Sequence, residues 1–174
     1  MNFKLSEAAA ILERTPALLA ELLHDLPEEW IVSNEGPDTF SPFDVVGHLI
    51  HGEKTDWVVR AKWILKNGTA IPFEPYDRFA QARNSEGKTL QQLLEEFRLL
   101  RQENLVWLRS QDWKEVDFEK RGLHPVLGEV TLRNLLSTWV VHDLTHIAQV
   151  TRVMAKQYTG EMGPWPAFFR ILNF

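Results

Sequence analysis

Trp139-Val140-Val141-His142-Asp143-Leu144-Thr145-His146-Ile147-Ala148-Gln149 decides how this chain is read. It lies in a segment that starts after Thr131, a good N-cap residue, and runs without Gly or Pro to about Tyr158. Gly160, Gly163, Pro164 and Pro166 then end what reads as a long helix. Its core-facing stripe is Leu135, Trp139, His142, His146, Val150 and Val153. His142 and His146 therefore stand one turn apart on the apolar face. A buried imidazole needs partners for its ring nitrogens, so two adjacent ones need two protein partners or one shared metal ion. The spacing alone leaves both readings open, because helical histidine pairs also occur as surface residues.

Working outward, a second helix is predicted from Ser41-Pro42, a cap followed by proline, to about Lys66, with Asn67-Gly68 ending it. Its apolar stripe reads Val45, His48, Gly52, Val59 and Trp63, which places His48 on the apolar side and offers it as a third ligand in the same way. Gly52 serves either close helix packing or room for a ligand. His51 is the rival ligand. It lies about 60° around the helix from His48, toward Thr55, and is expected to face solvent or a pocket rim.

The remaining elements complete the fold class. A segment from Ser6 to Leu26 is interrupted at Thr15-Pro16, which predicts a short helix to about Arg14 and a restart, capped by Thr15, to His24. Another helix is predicted from about Thr89 to Ser110, with Gln92 three residues after Thr89 as a capping box. Ile71 to Gly87 reads as an irregular loop. Asp117 to Val130 reads as a small hairpin over one end of the bundle, and Ala167 to Leu172 as a last short helical turn. The expectation is an all-α protein: one domain over residues 1–174, a four-helix bundle with long crossover connections.

Composition narrows the function. The 174 residues carry a net charge of -5 and no basic run, which argues against nucleic acid or an anionic membrane surface as partner. No window approaches the roughly 18 apolar residues of a membrane span, and the N-terminal residues lack the pattern of a signal peptide; a cytoplasmic setting is the expectation. There is no cysteine, which excludes disulfides, thiolate ligands and a cysteine nucleophile. Any metal must sit on imidazole or carboxylate. Imidazole suits zinc, nickel, copper and iron alike, and the site is expected to take one divalent transition metal from among zinc, nickel, iron or manganese. Seven Trp and ten Phe fill a core, and some of them would line an apolar pocket.

Two stretches together resemble the DinB-like (YfiT-like) superfamily. Ser41-Pro42-Phe43-Asp44-Val45-Val46-Gly47-His48-Leu49, followed by Glu53, is similar to the family's helix-two motif, with Phe40-Ser41 where many relatives have Trp-Ser. His142-Asp143-Leu144-Thr145-His146 with Gln149 is similar to its helix-four motif. The resemblance spans nearly the whole chain. It implies a DinB-like four-helix bundle, commonly a homodimer, with a metal held by His48, His142 and His146. It also implies a small-molecule substrate, with water or a low-molecular-weight thiol as the attacking group.

Three histidines leave coordination positions open, the pattern of a catalytic rather than a structural site. Asp143, Glu53 and Gln149 are candidates to orient the imidazoles, although Glu53 is angularly far from His48 and each also fits a surface or salt-bridge role. His124, in the turn region between Gly122 and Gly128, is weighed as a fourth ligand or proton shuttle and set below both roles. The segment Phe73-Glu74-Pro75-Tyr76-Asp77-Arg78-Phe79 reads as a packed loop, with a pocket lid carrying Arg78 as the sharper option. Two functions from different classes follow: a metal-dependent hydrolase or thiol S-transferase, and a non-catalytic metal-binding stress-response or interaction module. A bundle whose histidines bind nothing is the third.

Overall fold

Ser41, Thr89 and Thr131 each start a helix by closing a reciprocal capping box, with Asp44, Gln92 and Asn134 respectively. These boxes satisfy amide groups that a helix start leaves unpaired. The computed structural model describes residues 2–77 and 80–172. Its helices are α1 (Leu5–Leu12), α2 (Thr15–Leu23), α3 (Glu28–Val32), α4 (Pro42–Thr55), α5 (Trp57–Asn67), α6 (Ala80–Ser85), α7 (Leu90–Ser110) and α8 (Leu132–Gln157). An antiparallel hairpin, β1 (Arg121–His124) and β2 (Gly128–Thr131), leads into α8. Short 3-10 turns at Trp165–Phe168 and Arg170–Leu172 carry the final turn expected there.

The architecture is a four-helix bundle. Its columns are α1 with α2, α4 with α5, α7, and α8; α4 and α2 pack on α7, while α1 and α5 pack on α8. Long connections over residues 33–41, 68–89 and 111–131 join them, as the spacing of cap and stop signals predicts. One apolar cluster gathers Leu12, Trp57, Ala61, Leu108, Leu132 and Trp139, and another Leu19, Leu23, Val45, Leu49, Phe97 and Val150. No helix among the described residues is long and apolar enough to cross a membrane.

Several expectations need correction. The second predicted helix is two helices, broken at Asp56 (φ -114°, ψ -81°). The break resets the face presented to the core, so Trp57, Val58, Ala61 and Ile64 are buried while Val59 of the expected stripe is 45% exposed. Gly52 serves close packing: a Cβ there would sit 3.0 Å from Trp57 Nε1. Thr15 begins α2 but does not cap it; its buried hydroxyl finds no hydrogen-bond partner among the described residues. Residues 71–87 are not wholly irregular, since α6 packs on α4. There a Cβ on Gly47 would lie 2.4 Å from Ser85 Oγ. Arg78 and Phe79, the lid candidates, lie outside the described residues.

Candidate metal centre

α4 supplies His48 and α8 supplies His142 and His146, and their side chains converge. His48 Nε2 is 2.9 Å from His142 Nε2, which is 3.2 Å from His146 Nε2. The ligating atoms of all three lie within 4.8 Å of one another. Imidazole nitrogens bound tetrahedrally at 2.0–2.1 Å from a zinc ion stand about 3.3 Å apart, so the cluster needs little movement to close on an ion. Protons alone satisfy it poorly. Each neutral ring nitrogen is either a donor or an acceptor, and His142 Nε2 faces two others at hydrogen-bonding distance.

The electrostatics favour ligation. Burial, then repulsion from His146, lowers the His48 pKa from 6.5 to about 4. Burial, then its two histidine neighbours, lowers that of His142 to about 3. Burial also lowers that of His146, against its hydrogen bond to Gln149. All three are therefore neutral at pH 7, the form a metal requires. Each of the three histidines is only partly buried. A groove of about 440 Å³ lies between α2 and α7 and is lined by none of the three.

Orientation comes from a subset of the expected residues. Gln149 Oε1 lies 2.8 Å from His146 Nδ1, the arrangement that presents Nε2 to an ion. Tyr76 Oη lies 3.2 Å from His48 Nδ1. His142 Nδ1 is buried without a hydrogen-bond partner among the described residues, its ring meeting Trp57 edge-on at 4.9 Å between centroids.

Among the described residues, the hydrogen bonds of the Asp143 and Glu53 carboxylates do not go to the histidines. Both turn to Arg101, which is 1% exposed in the centre of the bundle. Arg101 donates to Asp143 at 2.6 and 3.0 Å, to Glu53 Oε1 at 2.8 and 3.1 Å, and to the Leu12 carbonyl at 2.6 Å. Trp139 Nε1 and Asn104 Nδ2 complete the shell of Glu53 at 3.1 and 2.9 Å. The guanidinium also lies over Phe97 and Trp139, at 4.9 and 5.2 Å, so it joins the two apolar clusters.

His51 does not face solvent. It is 5% exposed, its ring tilted by 58° against that of Tyr76 at 4.8 Å between centroids. It is not one of the clustered ligands. His124 also stands apart, its Nδ1 accepting from the Val126 and Leu127 amides at 3.1 Å each within the hairpin turn.

Sequence reasoning missed Arg101 and Tyr76. Arg101 had a signal: it sits in the apolar series Leu93, Phe97, Leu105, Leu108 of α7, where a charge demands buried counter-charges. Tyr76 had none beyond its place in an aromatic loop.

No curated protein matches the chain. Among solved structures, YfiT from Bacillus subtilis, described as a probable metal-dependent hydrolase with an unusual four-helix bundle topology, superposes with a TM-score of 0.73. The identity is 23%, over 88% of this chain and 87% of that one, and the likeness fixes the fold. The DinB superfamily model matches residues 11–150, a span holding all three histidines, and the chain belongs to that superfamily.

Proposed function

We propose that this protein is a metal-dependent enzyme that holds one divalent transition metal on His48, His142 and His146 and acts on a small electrophilic substrate. The observation that carries the reading is the convergence of three neutral, partly exposed histidines on one point, with no fourth ligand in the cluster among the described residues. Three protein ligands leave room for an exogenous group, as catalytic sites do. When bound, a divalent ion supplies Lewis-acid activation of water or of an incoming low-molecular-weight thiol. The chain's own contribution is to hold the ligands: Gln149 orients His146, and the neighbouring Trp57 and Phe40 rings, 4.9 Å from His142 and 5.5 Å from His48, pack against the ligands.

Hydrolysis and thiol S-transfer remain two branches of this reading, since both need only an attacking group drawn from outside. The test is to reconstitute metal-free protein with zinc, nickel, iron(II) or manganese in turn. Each form is assayed on ester and amide substrates, and on electrophiles with and without a low-molecular-weight thiol. Turnover that requires metal and disappears in His142→Ala supports the enzyme; fully loaded protein inert in every assay supports the non-catalytic binding module instead.

The reading includes a homodimer. The outer face of α8 presents Thr138, Val141, Leu144, Thr145 and Ala148, exposed and without a charge, which suits a second copy of the chain better than open water.

A further inference from the structure

We propose that Tyr76 is a positioning residue of the metal centre: its hydroxyl holds His48 in the tautomer that frees Nε2, and the β1–β2 hairpin sets where Tyr76 stands. This rests on the metal-binding reading above but concerns residues outside the ligand set.

Ligation through Nε2 requires the proton of a neutral imidazole to sit on Nδ1. The hydroxyl of Tyr76, 3.2 Å from His48 Nδ1, can accept that proton's hydrogen bond. Gln149 does the same for His146 at 2.8 Å. Tyr76 is itself confined, its ring 6.0 Å from that of His48 at 74° and 4.8 Å from that of His51.

Residues 71–77 form a strap whose place is dictated from far along the chain. Pro72 pairs with Leu123, and the Phe73 amide donates to the Leu123 carbonyl at 2.9 Å. Trp63 Nε1 donates to the Ile71 carbonyl at 2.9 Å. Phe73 is 3% exposed, with the Arg60 guanidinium 5.2 Å over its ring. It fits there only because residue 122 is glycine: a Cβ on Gly122 would lie 2.8 Å from the Phe73 ring. Between Phe73 and Tyr76 stand only Glu74 and Pro75, and proline's fixed φ limits the play. The hairpin thus locates a hydroxyl that meets His48.

The experiment reads ring tautomers by long-range proton–nitrogen correlation in the metal-free protein, and metal affinity by titration of zinc against a competing chelator. The unmodified protein is expected to show His48 with its proton on Nδ1. Tyr76→Phe is expected to move that population toward Nε2–H and to weaken zinc binding about 10–100-fold, with the His146 signals and melting temperature nearly unchanged. Gly122→Ala, which displaces Phe73, is expected to change both readouts in the same direction. An unaltered His48 tautomer and unaltered affinity in Tyr76→Phe overturn the proposal. Failure of the unmodified protein to take up zinc defeats the functional reading, while the metal-free tautomer spectrum still decides the role of Tyr76.

Discussion

Replacing Arg101 by methionine removes the only cation that faces Glu53 and Asp143 among the described residues and leaves both carboxylates inside the bundle. Burial alone would depress the Arg101 pKa, but the two carboxylates outweigh it and hold it above the ordinary arginine value. Breaking a buried ion pair by deleting one partner costs about 3–5 kcal/mol, because the remaining charge is stranded in a medium that solvates it badly. Here two carboxylates are stranded, and the Leu12 carbonyl also loses its donor, so the upper part of that range is expected. For a chain of this length each kcal/mol shifts the melting temperature by about 2–4 °C; Arg101→Met should therefore melt roughly 10–20 °C lower in metal-free buffer. Combining it with Glu53→Gln and Asp143→Asn removes the stranded charges, and the combination should be more stable than Arg101→Met alone. Urea and thermal unfolding of the three proteins, unmodified, single variant and combination, provide the assay. A loss below about 1 kcal/mol for Arg101→Met, or a combination less stable than the single variant, would refute the idea that charge compensation holds the core's centre together.

Further expectations follow from other sites. The folded pKa values of His48 and His142, about 4 and about 3, lie below the ordinary 6.5, so the unfolded chain binds more protons in between. Stability of the metal-free protein should be fully present above pH 6.5 and fall as the pH drops toward 4. Thermal melts across that range should show a shallower slope in His142→Leu. Gly122→Ala meets the rings and branched carbons of Phe73 and Ile64 and should cost about 1–3 kcal/mol. Gly47→Ala meets a serine hydroxyl that can rotate, and gains helix propensity, so denaturation should find it close to neutral. Ser41→Ala loses the bonds with Asp44 at 3.2 and 2.6 Å and should cost about 1 kcal/mol in urea titration. Leu144→Glu should convert the proposed dimer to monomer in light scattering; an unchanged mass would remove α8 as the dimer face.

How much of this was legible in the sequence depends on whether the determinant is local. Caps are local, and Ser41, Thr89 and Thr131 marked three helix starts to the residue. The histidine pair is also local, since i and i+4 share a face whatever surrounds them. The break at Asp56 was not legible, because Lys54 to Trp57 holds no proline or glycine; packing of Trp57 against Gly52 accompanies it. The fates of Glu53 and Asp143 were hidden for a related reason. Their position beside the histidine motifs made them candidates to orient ligands or to form salt bridges; they form salt bridges, and the partner, Arg101 on α7, was what the sequence left unnamed. His51 was placed at the rim from helix geometry alone, which knew nothing of the strap that covers it with Tyr76. Long-range partners, rather than helix pattern, account for each of these differences.

The central claim is that His48, His142 and His146 form one metal site. Elemental analysis of purified, untagged protein, after incubation with zinc, nickel or manganese and removal of excess ion, tests it beside His142→Ala. The account predicts about one transition-metal ion per chain in the unmodified protein and loss of it in the variant. Metal absent from both, or retained in full by His142→Ala, would contradict it and leave the three imidazoles as a purely structural cluster.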